Sequence, residues 1–205
     1  MERLLLARHA ESEYSALGTL NGDPSIVVSL TVDGRAQARR LGEALAEEPI
    51  GVCAVTEFAR TRETAEVALA GRAVPVLVVP ELNDHPAGDY EGRPLAEYLE
   101  WAHTARPDEV VPGGTESRVA VVERFARGFR LLVGRSEEVV LAVLHSLPIA
   151  YLSSAAEGHD PAARMAMLPY ADVRTLSLDE VERAIERLER WGASRATDRA
   201  TSQEP

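Results

Sequence analysis

The sequence predicts an α/β fold, a three-layer α/β/α sandwich around a mostly parallel central sheet. Two observations carry this expectation. Short apolar runs recur along the chain, and segments with helical periodicity fall between them, the alternation that builds a parallel sheet with helices on both faces.

Residues 4–7 read as the first buried strand. Residues 32–48 place Ala36, Leu41 and Leu45 among arginines and glutamates at helical spacing, as in a sheet-covering helix, and Pro49 stops it. Residues 52–55 form the second apolar run, followed by a helix over 61–69, and residues 74–79 form the third. Helices are expected over 95–104 and 117–133, with Trp101, Phe125 and Phe129 read as core packing. Residues 139–144 make the fourth buried run, and a helix over 148–156 follows. A fifth strand near 173–178 leads into a charged closing helix over 179–191, where Glu180, Glu182 and Glu186 make a solvated face. Residues 194–205 are polar and aperiodic and read as a flexible tail, leaving residues 1–193 as one domain.

Composition narrows the function. Hydrophobic residues at 45% and charged residues at 27% of 205 describe a folded soluble chain. The formal net charge of -11 repels nucleic acid and anionic membranes, so neither is an expected partner, and an anionic ligand must be drawn by local arginines. Cys53 is the only cysteine, which excludes an internal disulfide and a cysteine-rich zinc cluster and points to a reducing compartment, the cytoplasm. The apolar start is too short for a signal or spanning segment. Nothing in the composition selects an oligomeric state.

The chemistry-bearing residues cluster at strand ends. Arg8-His9-Ala10-Glu11-Ser12 follows the first run and His145-Ser146 the fourth, so two of five histidines occupy equivalent ends of a parallel sheet, where ligands bind. The second run ends at Thr56 and leads into a helix start carrying Arg60, whose free amides favour an anion. The loop 81–92 is dense in carboxylates and turn residues and is a source of a general acid. Ser12 and Ser15 are turn or cap residues that also suit phosphate donors. His103 and His159 read as surface residues and Gly113-Gly114 as a turn.

In this order the motifs resemble those of the histidine phosphatase superfamily, also called phosphoglycerate mutase-like. The resemblance rests on Arg8-His9-Ala10-Glu11-Ser12, on Thr56, Arg60, Thr64 and Ala65, on Leu82 to Gly92, on Pro112-Gly113-Gly114-Thr115-Glu116-Ser117 and on His145. It spans roughly residues 4–152. Ala10 stands where glycine is usual, Asp84 where one branch has glutamate, Ser146-Leu147 where Gly-Gly is frequent, and Thr115 lengthens its motif by one.

The resemblance implies hydrolysis of a small phosphorylated substrate without metal or organic cofactor. His9 would be the nucleophile and Asp84 the general acid, with Glu81 and His85 as rival acids. Arg8, Arg60, His145 and Ser15 would bind the phosphoryl group, and His145, as a donor to its oxygens in the transition state, would also be catalytic. Two alternatives accompany this reading: a phosphoglycerate-type mutase, and an inactive relative that binds a phosphorylated ligand.

Overall fold

Hydrophobic alternation along the strands sorts the side chains into two cores, one on each face of a five-stranded sheet. The structure, a computed structural model, describes residues 1–201. The strands are β1 (Arg3–Arg8), β2 (Val52–Val55), β3 (Val76–Val78), β4 (Val139–Leu144) and β5 (Val173–Ser177). The helices are α1 (Glu13–Ala16), α2 (Val32–Ala44), α3 (Ala59–Ala68), α4 (Leu95–Thr104), α5 (Arg118–Val133), α6 (Ser146–Ala156) and α7 (Leu178–Thr201).

The strand order is β3-β2-β4-β1-β5, parallel except for β5, which runs antiparallel beside β1. Leu4 and Leu6 of β1 face one side with Val140, Ala142 and Leu144 of β4, packed against Phe125 and Phe129 of α5, Ile149 and Leu152 of α6, and Ile185 and Leu188 of α7. Leu5 and Ala7 face the other side with Leu141 and Val143, against Leu41 of α2 and Ala65 and Ala68 of α3. This is the expected three-layer sandwich. Full burial of β4 on both faces explains its unbroken apolar run.

Three expectations are corrected. The third run is not a buried strand: β3 is the edge of the sheet, and Val76 and Val78 are 58% and 40% exposed because it has a neighbour on one side only. The helix predicted over 32–48 ends at Ala44, with a turn before Pro49. The tail expected from residue 194 is helical as far as Thr201, since α7 continues past Trp191 and Gly192 without a proline, and residues 202–205 lie outside the described residues. No described helix is long and apolar enough to cross a membrane.

One close approach ties the sheet edge to α2. Thr31 caps α2 by accepting from the Gly34 amide and donates its hydroxyl to Glu11 (2.8 Å), which draws the first turn against the segment after β1. A β-carbon at Gly34 would lie 2.0 Å from the Glu11 carbonyl oxygen. Gly34→Ala should therefore destabilise the protein by about 1–3 kcal/mol, against alanine's better helix propensity. Urea unfolding measures this, and a stabilised variant would contradict the packing.

Candidate active site

Register brings the two histidines together. Arg8 of β1 pairs with Leu144 of β4, so the next residue on each strand leaves the sheet at the same edge. The His9 amide donates to the Leu144 carbonyl (2.8 Å), and the His9 and His145 rings stand 5.4 Å apart, edge to face. His9 is 4% exposed and His145 is fully buried.

Their partners set their tautomers. His9 Nδ1 lies 2.7 Å from the Ala10 carbonyl oxygen, which can only accept, so Nδ1 carries the proton. Nε2 then presents its lone pair and accepts from Arg60 Nε at 3.2 Å. His145 Nδ1 accepts from Arg60 Nη2 (3.1 Å), which leaves its Nε2 proton for Thr56 Oγ1 (3.0 Å). The Thr56 hydroxyl passes on to Thr61 Oγ1 (2.9 Å), and Thr61 donates to the Phe58 carbonyl. Burial foremost, then the charges of Arg60 and Arg8, hold His9 well below the usual histidine range. Burial, Arg60 and the neighbouring His9 do the same to His145.

Arg60 is the hub. Beside the two imidazoles, it donates to the Asn21 side-chain oxygen (2.5 Å), the Asn21 carbonyl (3.1 Å) and Asp84 Oδ2 (3.4 Å), and it stacks 4.2 Å from the Phe58 ring. Burial lowers its pKa to about 10, partly offset by Asp84 and Glu91. Arg8, 7% exposed, donates to the Leu168 carbonyl and lies 3.9 Å over the Tyr170 ring, while its buried Nε has no protein partner. Ala171, the single non-glycine residue with positive φ among those described, turns the chain so that its amide bonds the Arg8 carbonyl and Tyr170 covers the guanidinium.

Of the three acid candidates, Asp84 reaches the cluster, 3.4 Å from Arg60 and 3.5 Å from His145 Nδ1. Glu81 does not line the cleft, and His85 bonds through Nδ1 to the Pro86 carbonyl and packs on Tyr98. Arg124 of α5 holds this loop by donating to the carbonyls of Glu81, Asn83 and Asp84, and Glu116 grips Arg124 through both carboxylate oxygens at 2.8 Å. The Gly113-Gly114 turn has a structural task here. Gly113 adopts positive φ, and a β-carbon at Gly88 would meet the Pro112 carbonyl oxygen at 2.2 Å, so the two loops lie backbone to backbone.

Ala10 is accommodated without strain: its methyl packs among Leu30 and Ala38, and its amide donates to Thr64. Ser12 caps α1, and its hydroxyl bonds that of Ser15 (2.8 Å); both line the cleft. Two expectations fail. Trp101 is not core: it lines the cleft beside Tyr98, because α4 turns its apolar face to the cavity. His103 is partly buried on the same wall, whereas His159 is exposed. Phe125 and Phe129 are buried as expected. Sequence reasoning missed Asn21 and Tyr170, which lie in aperiodic loops without a local signal, and the relay through Thr56 and Thr61. Among the described residues, no group of three or more His, Cys, Asp or Glu side chains could hold a metal ion.

Residues 4–190 match the family described as the histidine phosphatase superfamily (branch 1). The chain belongs to the histidine phosphatase superfamily. It is similar to the adenosylcobalamin/alpha-ribazole phosphatase of Salmonella typhimurium, 38% identical over 91 residues, an alignment that spans 44% of each chain. It is 25% identical over 182 residues to the phosphatase PhoE of Bacillus subtilis, covering 88% of this chain and 90% of that one. The crystal structure of the alpha-ribazole phosphatase from Shigella flexneri superposes with a TM-score of 0.73 at 26% identity, covering 84% and 89% of the two chains.

Two measurements test this histidine phosphatase site. Nitrogen-15 NMR of the imidazoles should show His9 neutral and Nδ1-protonated at about pH 6, below its unperturbed pKa. Arg8→Met should raise its pKa, since removing a cation favours imidazolium; an imidazolium pattern in the wild type would refute the electrostatic reading. Thr56→Val should lose about 1–3 kcal/mol of stability by stranding the buried His145 Nε2 proton, while Thr56→Ser retains most of it; equal stability in all three proteins would refute the relay.

Proposed function

We propose that the protein is a phosphomonoesterase that hydrolyses a small phosphorylated substrate through a phosphohistidine on His9. The supporting observation is that the unprotonated Nε2 of His9 is directed at a cluster of buried guanidinium groups. A phosphoryl group drawn there by Arg8 and Arg60 meets a nucleophile whose lone pair is free of a proton. The phosphatase names of the relatives support hydrolysis.

In the first step the substrate binds as its monoanion and passes its proton to the Asp84 carboxylate; the Nε2 lone pair then forms a bond to phosphorus as the bond to the leaving oxygen breaks, and Asp84 gives that oxygen the proton. In the second, water attacks phosphorus, the P–N bond breaks, and the Asp84 carboxylate takes the proton of the water. Arg8, Arg60 and the Ser15 hydroxyl hold the phosphoryl oxygens, where charge spreads as the ester bond lengthens. Once those oxygens take the Arg60 donors, His145 Nδ1 faces an anion, and the tautomer with its proton on Nδ1 becomes favourable. The Thr56 hydroxyl reverses from accepting to donating and so permits the change. Each step uses groups of the chain itself, with no metal or organic cofactor. We read residues 1–193 as one domain working in the cytoplasm, in keeping with the reduced, buried Cys53.

Rapid acid quench after mixing with radiolabelled p-nitrophenyl phosphate tests the intermediate. The wild type should yield an acid-labile phosphoenzyme, and His9→Ala none, with phosphate release reduced by about a thousandfold or more. A phosphoenzyme persisting in His9→Ala would reject the assignment. Interconversion of phosphoglycerates without phosphate release would make the protein a mutase, and ligand binding without either reaction would make it the inactive relative.

A further inference from the structure

We infer that the alcohol released from the substrate is a bulky, predominantly apolar group carrying an aromatic ring, seated between α4 and the segment joining α6 to β5. This inference rests on the phosphomonoesterase reading for the direction in which the ester points, and on separate observations for what receives it.

The cationic cluster lines an open cleft with a cavity volume of about 200 Å³. A phosphoryl group fills only part of that space, and an ester seated on Arg8 and Arg60 projects its alcohol into the remainder. The wall there is predominantly apolar, with Arg106, Glu109 and Arg118 also reaching the lining. Leu20, Tyr98, Trp101, Leu147, Met165 and Met167 line it, drawn from four separate parts of the chain.

Helix α4 supplies the decisive observation. Its sequence, LAEYLEWAHT, is largely apolar, yet none of its ten residues is buried. Leu95, Tyr98, Trp101 and Ala102, spaced by three or four residues, face the cleft. A helix of this composition ordinarily buries that stripe in a core. Here the stripe forms a wall, and Tyr98 and Trp101 stand 5.8 Å apart by ring centroid with Tyr90 beside them, an aromatic surface against which a planar group can stack. Met165 and Met167, in the segment joining α6 to β5, line the same cleft and are unbranched and adaptable to rings of differing outline. The Tyr98 phenol, whose pKa partial burial raises further above neutrality, is available as a hydrogen-bond donor to a single polar atom on the ligand.

Hydrolysis of ethyl phosphate, 2-phenylethyl phosphate and 2-(1-naphthyl)ethyl phosphate provides the test, because these primary alkyl esters have similar intrinsic reactivity and differ in apolar bulk. Binding of 2-(1-naphthyl)ethanol by calorimetry runs in parallel. We expect kcat/KM to rise by roughly tenfold or more from the ethyl to the naphthyl ester. In Trp101→Ala the naphthyl-to-ethyl ratio should fall several-fold. Met167→Lys should do the same, and this side chain is 54% exposed, so its replacement leaves the core intact. A flat ratio in active wild type would overturn the inference and leave the phosphatase reading standing. Alcohol binding that is lost in Trp101→Ala, in a protein that hydrolyses none of the esters, would support the pocket and overturn the phosphatase reading. Absence of both activity and binding would overturn both.

Discussion

A guanidinium held away from water between two imidazoles is the constraint on which the rest of this structure depends. Burying an unpaired cation costs several kcal/mol, a large share of a domain's net stability, so Arg60 must be surrounded by acceptors. Asp84 supplies a carboxylate, Asn21 supplies two oxygens, and each histidine supplies a ring nitrogen. A ring nitrogen that accepts from Arg60 cannot also hold a proton. One buried charge thereby dictates the protonation of both imidazoles.

The surrounding elements keep these groups in place. The Ala10 carbonyl fixes one end of His9, and the Thr56 and Thr61 hydroxyls fix the far side of His145. Glu91 holds Asn21 by accepting from its side-chain amide at 3.2 Å. Arg124 and Glu116 clamp the backbone that carries Asp84. Arg8 and Arg60 are therefore matched by carbonyl oxygens and imidazole nitrogens as well as by the Asp84 carboxylate.

Much of this was legible in the chain because it is local. The first and fourth apolar runs ended in chemistry-bearing residues and the second led into Arg60, so Arg8, His9, Arg60 and His145 stood out from the pattern, while Asp84 was set apart from Glu81 and His85 only by the resemblance to the family's motifs. The errors have a common physical origin. Trp101 and the third apolar run looked like core because composition reports what could be buried, and burial depends on what packs opposite. At β3 the sheet simply ends, and at α4 a cavity faces the apolar stripe. The helix through residues 194–201 was missed because the apolar periodicity of the sequence stops at Trp191, so the pattern no longer marks it. Asn21 and Tyr170 come from irregular loops, whose course is set by partners distant in sequence.

The sequence by itself determined which residues form strands and helices, which side chains end the strands, and which family's motifs they spell, because each of these depends on neighbours a few positions away. The tertiary structure alone decided which nitrogen of each histidine carries the proton, which acid reaches the cluster, and which apolar faces remain open to a ligand. Those properties follow from the register of β1 against β4 and from loops meeting across the sheet edge, where groups far apart along the chain share one desolvated space.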